Sequence, residues 1–252
     1  MTPIVITSIN QMIEAGEAIF RSTQTRWWFR GQRNFNWGLL PKVRRGYTRQ
    51  QEKYLTNLFY TRARTRHVAC PGNDDYGGWL ALAQHFGLPT RLLDWTNSPL
   101  IAAYFAAKYQ FDTAADLDPT DAAIWVLEPH LLNTSQGYEP VFPPLNAKSL
   151  EEMIRPAMKG NDTSKLGVLA ASPLETDMRM FVQQGQFTIH VTSEPLDQMP
   201  DSVNWLRKIK IPAEAIPRVA RELDVLGVRL ADIFPDLQNL ATELTNMHRP
   251  SP

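Results

Sequence analysis

Residues 98–109, Ser-Pro-Leu-Ile-Ala-Ala-Tyr-Phe-Ala-Ala-Lys-Tyr, constrain this chain more than any other stretch. Ser98 is placed to cap a helix and Pro99 to open its first turn. The helix predicted over Ser98–Tyr109 has almost no polar face, because Leu100, Ile101, Ala102, Ala103, Phe105 and Ala106 cover nearly all sides. Such a helix must be buried. The chain has enough material to bury it, with 252 residues of which 43% are hydrophobic. That hydrophobicity and a net charge of zero exclude a disordered chain. The 13 Gly and 19 Pro are scattered without period, which excludes collagen-like and low-complexity structure.

The rest of the chain alternates between periods. Helices are predicted over Ser8–Arg21, Thr48–His67, Tyr76–Phe86, Leu150–Met158, Ala213–Leu226 and Ala231–His248. In Thr48–His67, Thr48 and Gln51 form a capping box, and Tyr54, Leu55, Leu58 and Phe59 face inward. Gly87 and Pro89 stop Tyr76–Phe86, and Gly227 closes Ala213–Leu226. Strands are predicted over Thr25–Gln32, Thr90–Trp95, Ala122–Leu127, Gly167–Ala171, Gln186–Val191 and Trp205–Ile211. Trp37–Val43 is expected to be a short extended piece broken by Pro41. Asp112–Asp121 reads as an acidic loop and the proline-rich Glu128–Asn146 as irregular. There is no repeat and no linker, so one domain over 1–252 is expected. Helices and strands intersperse without regular βαβ units, which predicts an α+β fold with a mixed or split central sheet and flanking helices. No run approaches the roughly 18 apolar residues of a membrane span. The N-terminus has no basic and apolar leader, so a soluble cytoplasmic protein without a membrane partner is expected.

Zero net charge hides an asymmetry. Residues 1–70 hold 12 Lys and Arg against 3 acidic residues, and the remainder carries the opposite excess. Either the two parts attract each other within the fold, or the basic part faces an anionic ligand. Familiar chemistry is missing. There is no GxGxxG, P-loop, HExxH, GxSxG or CxxC. The five histidines, His67, His85, His130, His190 and His248, lack metal-ligand spacing, so no metal is expected. Cys70 stands alone, which excludes an internal disulfide and reads as a small packing residue.

Three segments remain. In Phe29-Arg30-Gly31-Gln32, Arg30 offers a rigid donor fork to an anion and Gly31 lets backbone approach a phosphate. A structural ion pair is the plainer role for Arg30. In Gln84–Thr96, a polar pair, Gln84 and His85, ends a helix before a Gly-Leu-Pro turn, and Thr90 and Arg91 lead to Asp94. Strand alternation puts Arg91 and Asp94 on opposite faces. Asp94 is expected to be buried and hydrogen-bonded, with Trp95 packed beside it. In Arg179–Phe187, Gln183 and Gln184 precede Gly185 and can read a heterocycle edge or an amide, or satisfy buried backbone.

These segments together resemble the FRG domain family, named for its Phe-Arg-Gly motif and widespread in bacteria, phages and mobile elements. The resemblance rests on Phe29–Gln32, on Gln84–Leu100, on the Ala-x-x-Phe-Ala spacing of Ala102–Ala106 and on Gln183–Phe187. It runs from about 27 to 237, ending in the segment Gly227–Leu237. The order of elements is also similar to the layout of ADP-ribosyltransferases of the Arg–Ser–Glu type. That similarity implies an NAD substrate, with Arg30 on its phosphates, Thr90–Thr96 supporting the nicotinamide and Gln183 or Gln184 near the ribose. It implies Arg30, Asp94 and Gln184 as catalytic residues. Gly31, Gln32, Gln84, His85, Thr90, Arg91 and Gln183 would join Arg30 in holding the ligand. This sequence has no Ser-Thr-Ser, and glutamine stands where that family has glutamate, so Asp94 or Glu175 would have to supply the carboxylate.

Two activities follow, with a third alternative. One is a nucleotide-using, NAD- or ADP-ribosyl-type enzyme in a toxin or anti-phage role, with Arg30 and the Thr90–Trp95 strand lining one cleft and the glutamines at its base. Another is a non-catalytic nucleotide- or nucleic-acid-binding module with Trp27, Trp28, Phe35 and Trp37 as a stacking platform. The third is a protein-interaction domain.

Overall fold

The computed structural model describes residues 3–23, 25–108, 120–160, 167–174 and 178–248. Their elements begin with β1 (Ile4–Val5), α1 (Ile9–Thr23), β2 (Trp28–Gln32), α2 (Arg49–Ala63) and α3 (Tyr76–His85). Next come β3 (Leu92–Thr96), α4 (Pro99–Ala107), β4 (Ala122–Leu127), α5 (Pro129–Ser135), α6 (Glu151–Ile154) and α7 (Pro156–Lys159). The last group is β5 (Val168–Ala171), α8 (Met178–Val182), β6 (Gly185–His190), α9 (Ser202–Trp205), β7 (Leu206–Ile211), α10 (Ile216–Val225), α11 (Leu230–Ile233) and α12 (Leu237–Met247).

The strands form one seven-stranded sheet in the order β1-β7-β4-β2-β3-β6-β5. β1 runs parallel to β7 and every other pair is antiparallel, so the sheet is mixed and the fold is α+β, as expected. β2 pairs with β4 along its whole length but with β3 only at Phe29↔Thr96. The sheet thus has a seam between β2 and β3.

One face of the sheet carries two helical groups. Ile124, Val126, Ile209 and Ile211 pack with residues of α1, α4 and α10. Across the seam, Leu92, Phe187 and Ile189 pack with residues of α3, α6 and α7. The opposite face buries Trp28, Leu93, Trp95 and Trp125 under Leu39, Leu132, Leu196 and Trp205. α4 is buried as its sequence demands, with Ala102, Ala103, Tyr104, Ala106 and Ala107 fully enclosed. Ser98 caps it and Pro99 opens it. Its small residues let it lie directly on β2: a Cβ at Gly31 would stand 1.9 Å from the Ala102 carbonyl oxygen. Gly31 is therefore required by helix–strand contact. The expected approach of a phosphate is not needed to explain it.

Several expectations change. The extended piece Trp37–Val43 is no strand. Pro41 leads into a 3-10 turn at Lys42–Arg44, and the Leu39 N–H donates to Asp197 Oδ1 instead of to a ladder. α2 ends at Ala63 rather than at His67. Its capping box is present, but Tyr54 is exposed and the helix buries Glu52, Thr56 and Ala63. Leu55, Leu58 and Phe59 are half-buried. Within Glu128–Asn146 lies α5, because the Glu128 carboxylate caps it and Pro129 fits its first turn. Leu150–Met158 is split, since Pro156 lacks the N–H that would continue α6. Ala231–His248 is also split. Pro235 bars a helical Phe234, and Asp236 caps a new helix by accepting from the Asn239 N–H. β1 went unforeseen, being two residues long. Residues 112–119 of the acidic loop and Glu175 lie outside the described residues.

Candidate functional site

The Phe29↔Thr96 pair ends the β2–β3 ladder, and two residues back along β3 is Asp94. Its carbonyl oxygen accepts from Arg30 Nη1 at 2.6 Å, so a guanidinium bridges the seam where a ladder bond would otherwise lie. The same Nη1 is 3.9 Å from Asp94 Oδ2. Arg30 Nε is buried and has no hydrogen-bond partner among the described residues. Burial pulls the Arg30 pKa below its ordinary value, Asp94 opposes that shift and Arg45 adds to it. A guanidinium remains charged all the same. Arg30 is thus a cation with most of its side chain out of water and its donors only partly used.

Asp94 is not buried, contrary to expectation: its side chain is 55% exposed. Its position on the strand turns the side chain to the face where the two helical groups meet. Oδ2 accepts from Gln84 Nε2 at 2.7 Å, and Gln84 Oε1 accepts from the Thr90 hydroxyl at 2.6 Å. Thr90 therefore fixes which way round the Gln84 amide sits, and Gln84 holds the Asp94 carboxylate. Oδ1 accepts no hydrogen bond among the described residues. Trp95 is packed beside it as expected, buried, with its Nε1 donating to the Thr188 hydroxyl.

These groups line a cleft of about 260 Å³ over the seam. Arg30, Gly31, Asp94 and Trp95 contribute from β2 and β3, Gln84 and His85 from the end of α3, and Gln183 from the turn before β6. Phe29, Phe105, Met180 and Phe187 form an apolar floor. Arg179 completes the rim, donating to the His85 carbonyl at 3.3 Å and lying over the Phe234 ring at 4.6 Å.

The expected residues divide. Arg30, Gly31, Gln84, His85, Asp94 and Gln183 converge on the cleft. Gln184, expected with them, is not among the described residues that line it. It takes a left-handed φ of 47°, and its carbonyl accepts from the Asn97 N–H. Gln32 is buried with its Oε1 accepting from Trp125 Nε1 at 2.8 Å, so it ties two strands together on the far face. Thr90 acts through Gln84.

Arg91 belongs elsewhere. It is 1% exposed and grips Glu52 with two bonds, Nε to Oε1 at 2.7 Å and Nη2 to Oε2 at 2.9 Å, while Nη1 donates to the Met153 carbonyl. Arg44 donates to the same Glu52 at 3.0 Å and to the His190 carbonyl. His190 is fully buried, its Nε2 2.8 Å from the Thr188 hydroxyl. Burial, then Arg44 and Arg30, push its pKa down to about 3, so it is neutral. The sequence carried a signal for this cluster. Glu52 is the only acidic residue between Glu17 and Asp74, in a stretch full of arginines. Phe29, Phe105, Arg179 and Met180 fall inside the segments singled out from the sequence, but nothing in their spacing marked them as lining a cleft.

Of the proposed stacking platform, Trp27 and Trp28 are buried and only Trp37 is substantially exposed. No group of three or more His, Cys, Asp or Glu side chains among the described residues could hold a metal ion, and no helix there is long and apolar enough to cross a membrane.

Fold and cleft define an α+β domain in which an arginine bridges a seam in the central sheet. The chain carries an FRG domain: the sequence profile of that family matches residues 25–115. The match holds β2, α3, β3 and α4, hence Arg30, Gln84 and Asp94, whereas Arg179, Met180, Gln183 and Phe187 lie beyond it. Neither the curated proteins nor the solved structures yield a match.

Proposed function

We propose that this FRG-domain protein binds a nucleotide in the seam cleft and cleaves or transfers the ADP-ribosyl group of NAD, in an effector of the toxin or anti-phage kind. The observation that carries this reading is the convergence of Arg30, with unused donors, and Asp94, with an open carboxylate oxygen, on one cleft with an aromatic floor. Arg30 would hold phosphate through charge-assisted bonds. The apolar floor would take a flat heterocycle. Asp94 would take the part for which the glutamines are unsuited. The bond between ribose C1′ and the nicotinamide nitrogen breaks, and nicotinamide leaves with the bonding pair. The Asp94 carboxylate stabilises the cation left at C1′. Water or an acceptor hydroxyl adds there and gives up its proton to Asp94.

The experiment is a thermal-shift panel with NAD, ATP and short oligonucleotides at two salt concentrations, followed by release of nicotinamide. Binding at 100 times the dissociation constant stabilises the fold by about 2.7 kcal/mol. NAD is expected to raise the Tm at both salts, and Asp94→Asn to abolish nicotinamide release while leaving the Tm within a degree or two. A shift with oligonucleotide alone, erased by salt, refutes the reading.

A further inference from the structure

Where β2 ends, a second cavity of about 350 Å³ adjoins the cleft and shares Arg30, Gly31 and Phe105 with it. Its charged lining is Arg30, Arg33, Arg45 and Lys108, and no carboxylate lines it among the described residues. Four cations around one concavity repel one another, and a fold without an anion to place there has no reason to gather them. Neither Arg33, Arg45 nor Lys108 has an ion-pair partner among the described residues. The Nε of Arg45 is occupied by the Leu40 carbonyl, which aims the guanidinium and leaves its terminal nitrogens available. Trp37 and Phe105 form the apolar part of the wall; Trp37 is 40% exposed, with the Arg33 guanidinium 5.5 Å from its ring centroid. Among the described residues, Arg30 is the one charged side chain common to both cavities.

We propose that this basic cavity seats the pyrophosphate of a dinucleotide or nucleoside-diphosphate ligand, with Arg30 at the junction and Trp37 facing the second nucleoside. This deepens the nucleotide reading of the neighbouring cleft and rests on it. A lone phosphate would need neither the volume nor four cations. A nucleic-acid strand would need a row of exposed aromatics, and Trp27 and Trp28 are in the core. The two cavities divide the ligand. The cleft with Asp94 takes the reacting sugar and its base, and the basic cavity takes the charge that distinguishes a dinucleotide from a mononucleotide.

Calorimetry at constant ionic strength tests this with ADP-ribose, ADP, AMP and inorganic pyrophosphate. The proteins are wild type, Arg33→Ala/Arg45→Ala, Lys108→Ala and the charge-matched control Arg62→Ala/Arg66→Ala on the surface of α2 and just beyond it. ADP-ribose, ADP and pyrophosphate are expected to bind wild type about tenfold or more tighter than AMP, and Arg33→Ala/Arg45→Ala to lose that advantage. The control is expected to keep it. Lys108→Ala, at the end of α4, gives the same test on one residue should the double variant fail to fold. If NAD binds and is turned over but ADP affinity is unchanged in both cavity variants, the pyrophosphate seat is wrong and the nucleotide reading stands. If no nicotinamide is ever released but pyrophosphate binding falls only in the cavity variants, the seat stands and the catalytic reading fails. Equal losses in the control, or displacement of pyrophosphate by an eight-nucleotide strand with a steep salt dependence, overturn the proposal.

Discussion

Two arginine–carboxylate pairings lie three residues apart on one stretch of chain, and they differ in how completely they are satisfied. Arg91 places both prongs of its fork on Glu52 and its remaining nitrogen on a carbonyl, at 1% exposure for both partners. Arg30 has one short bond, to a backbone oxygen, and stands 3.9 Å from a carboxylate that is half in water. A saturated buried cluster has nothing left to give a ligand. An unsaturated pair in a cleft has donors and an acceptor in reserve. Completeness of hydrogen bonding, more than charge or burial, separates the arginine that holds the fold from the one that lines the cleft.

The contrast breaks most visibly at Glu52. Glu52→Ala leaves Arg44 and Arg91 buried without their anion, which is expected to cost about 3–5 kcal/mol. Asp94→Asn is expected to cost well under about 1 kcal/mol, as for an exposed pair. Urea denaturation of both variants measures the gap, and a Glu52→Ala protein as stable as Asp94→Asn would erase the distinction.

Next in size is a pH effect confined to the buried side. The His190 pKa of about 3 in the fold lies below its unfolded value of about 6.5, so the unfolded chain takes up the proton first. Stability is therefore complete above pH 6.5 and declines as pH falls towards 3, by at most about 1.4 kcal/mol per pH unit from this residue. His190→Gln keeps an acceptor for the Thr188 hydroxyl and is expected to flatten that slope. Parallel slopes in the two proteins would show that His190 is not the source.

A smaller effect on stability sharpens the comparison on the cleft side. Arg91→Lys loses the fork to Glu52 and is expected to destabilise by about 1.5–3 kcal/mol. Arg30→Lys is expected to change stability by only about 0.5 kcal/mol, yet to weaken NAD or pyrophosphate binding nearly as much as Arg30→Ala. Full affinity in Arg30→Lys would mean that a point charge suffices there. The smallest expected effect is on the relay behind Asp94. Thr90→Val removes the donor that orients Gln84, and nicotinamide release should fall more than NAD affinity, with kcat affected and KM nearly unchanged.

How much of this the sequence showed depended on whether a feature was local. Capping signals placed the starts of α2 and α4 well, because Thr48, Gln51, Ser98 and Pro99 act within one turn. Strand β4 was read with its ends correct from AAIWVL alone. Alternation also put Arg91 and Asp94 to different uses. It could not tell which was the structural one, since Glu52 and Asp94 sit at 39 and 64 residues from the arginines they meet. The inward face of α2 was misjudged for the same reason. Tyr54 looks more buriable than Glu52 until Arg44 and Arg91 arrive from outside the helix. Gln184 and Gln183 were indistinguishable as letters, and a left-handed φ at one of them decides which side chain reaches the cleft. The basic cavity was visible only as an excess of cations in the first 70 residues.

The position of β3 between β2 and β6 has a consequence in time. β2 and β3 leave the ribosome within the first hundred residues, but β6 follows roughly ninety residues behind β3. At about 5–20 residues per second, β3 spends several seconds with one edge unpaired and the apolar run Leu92-Leu93 uncovered. The Arg30 guanidinium cannot complete the edge facing β6, because it binds the carbonyl on the other side. The nascent chain thus carries a sticky half-sheet until its late strand arrives, and a truncated product stopping near residue 115 would keep that edge for good. Such a fragment is expected to aggregate when expressed alone and to be rescued in soluble form when residues 120–248 are supplied beside it, which a pelleting assay on co-expressed halves would decide.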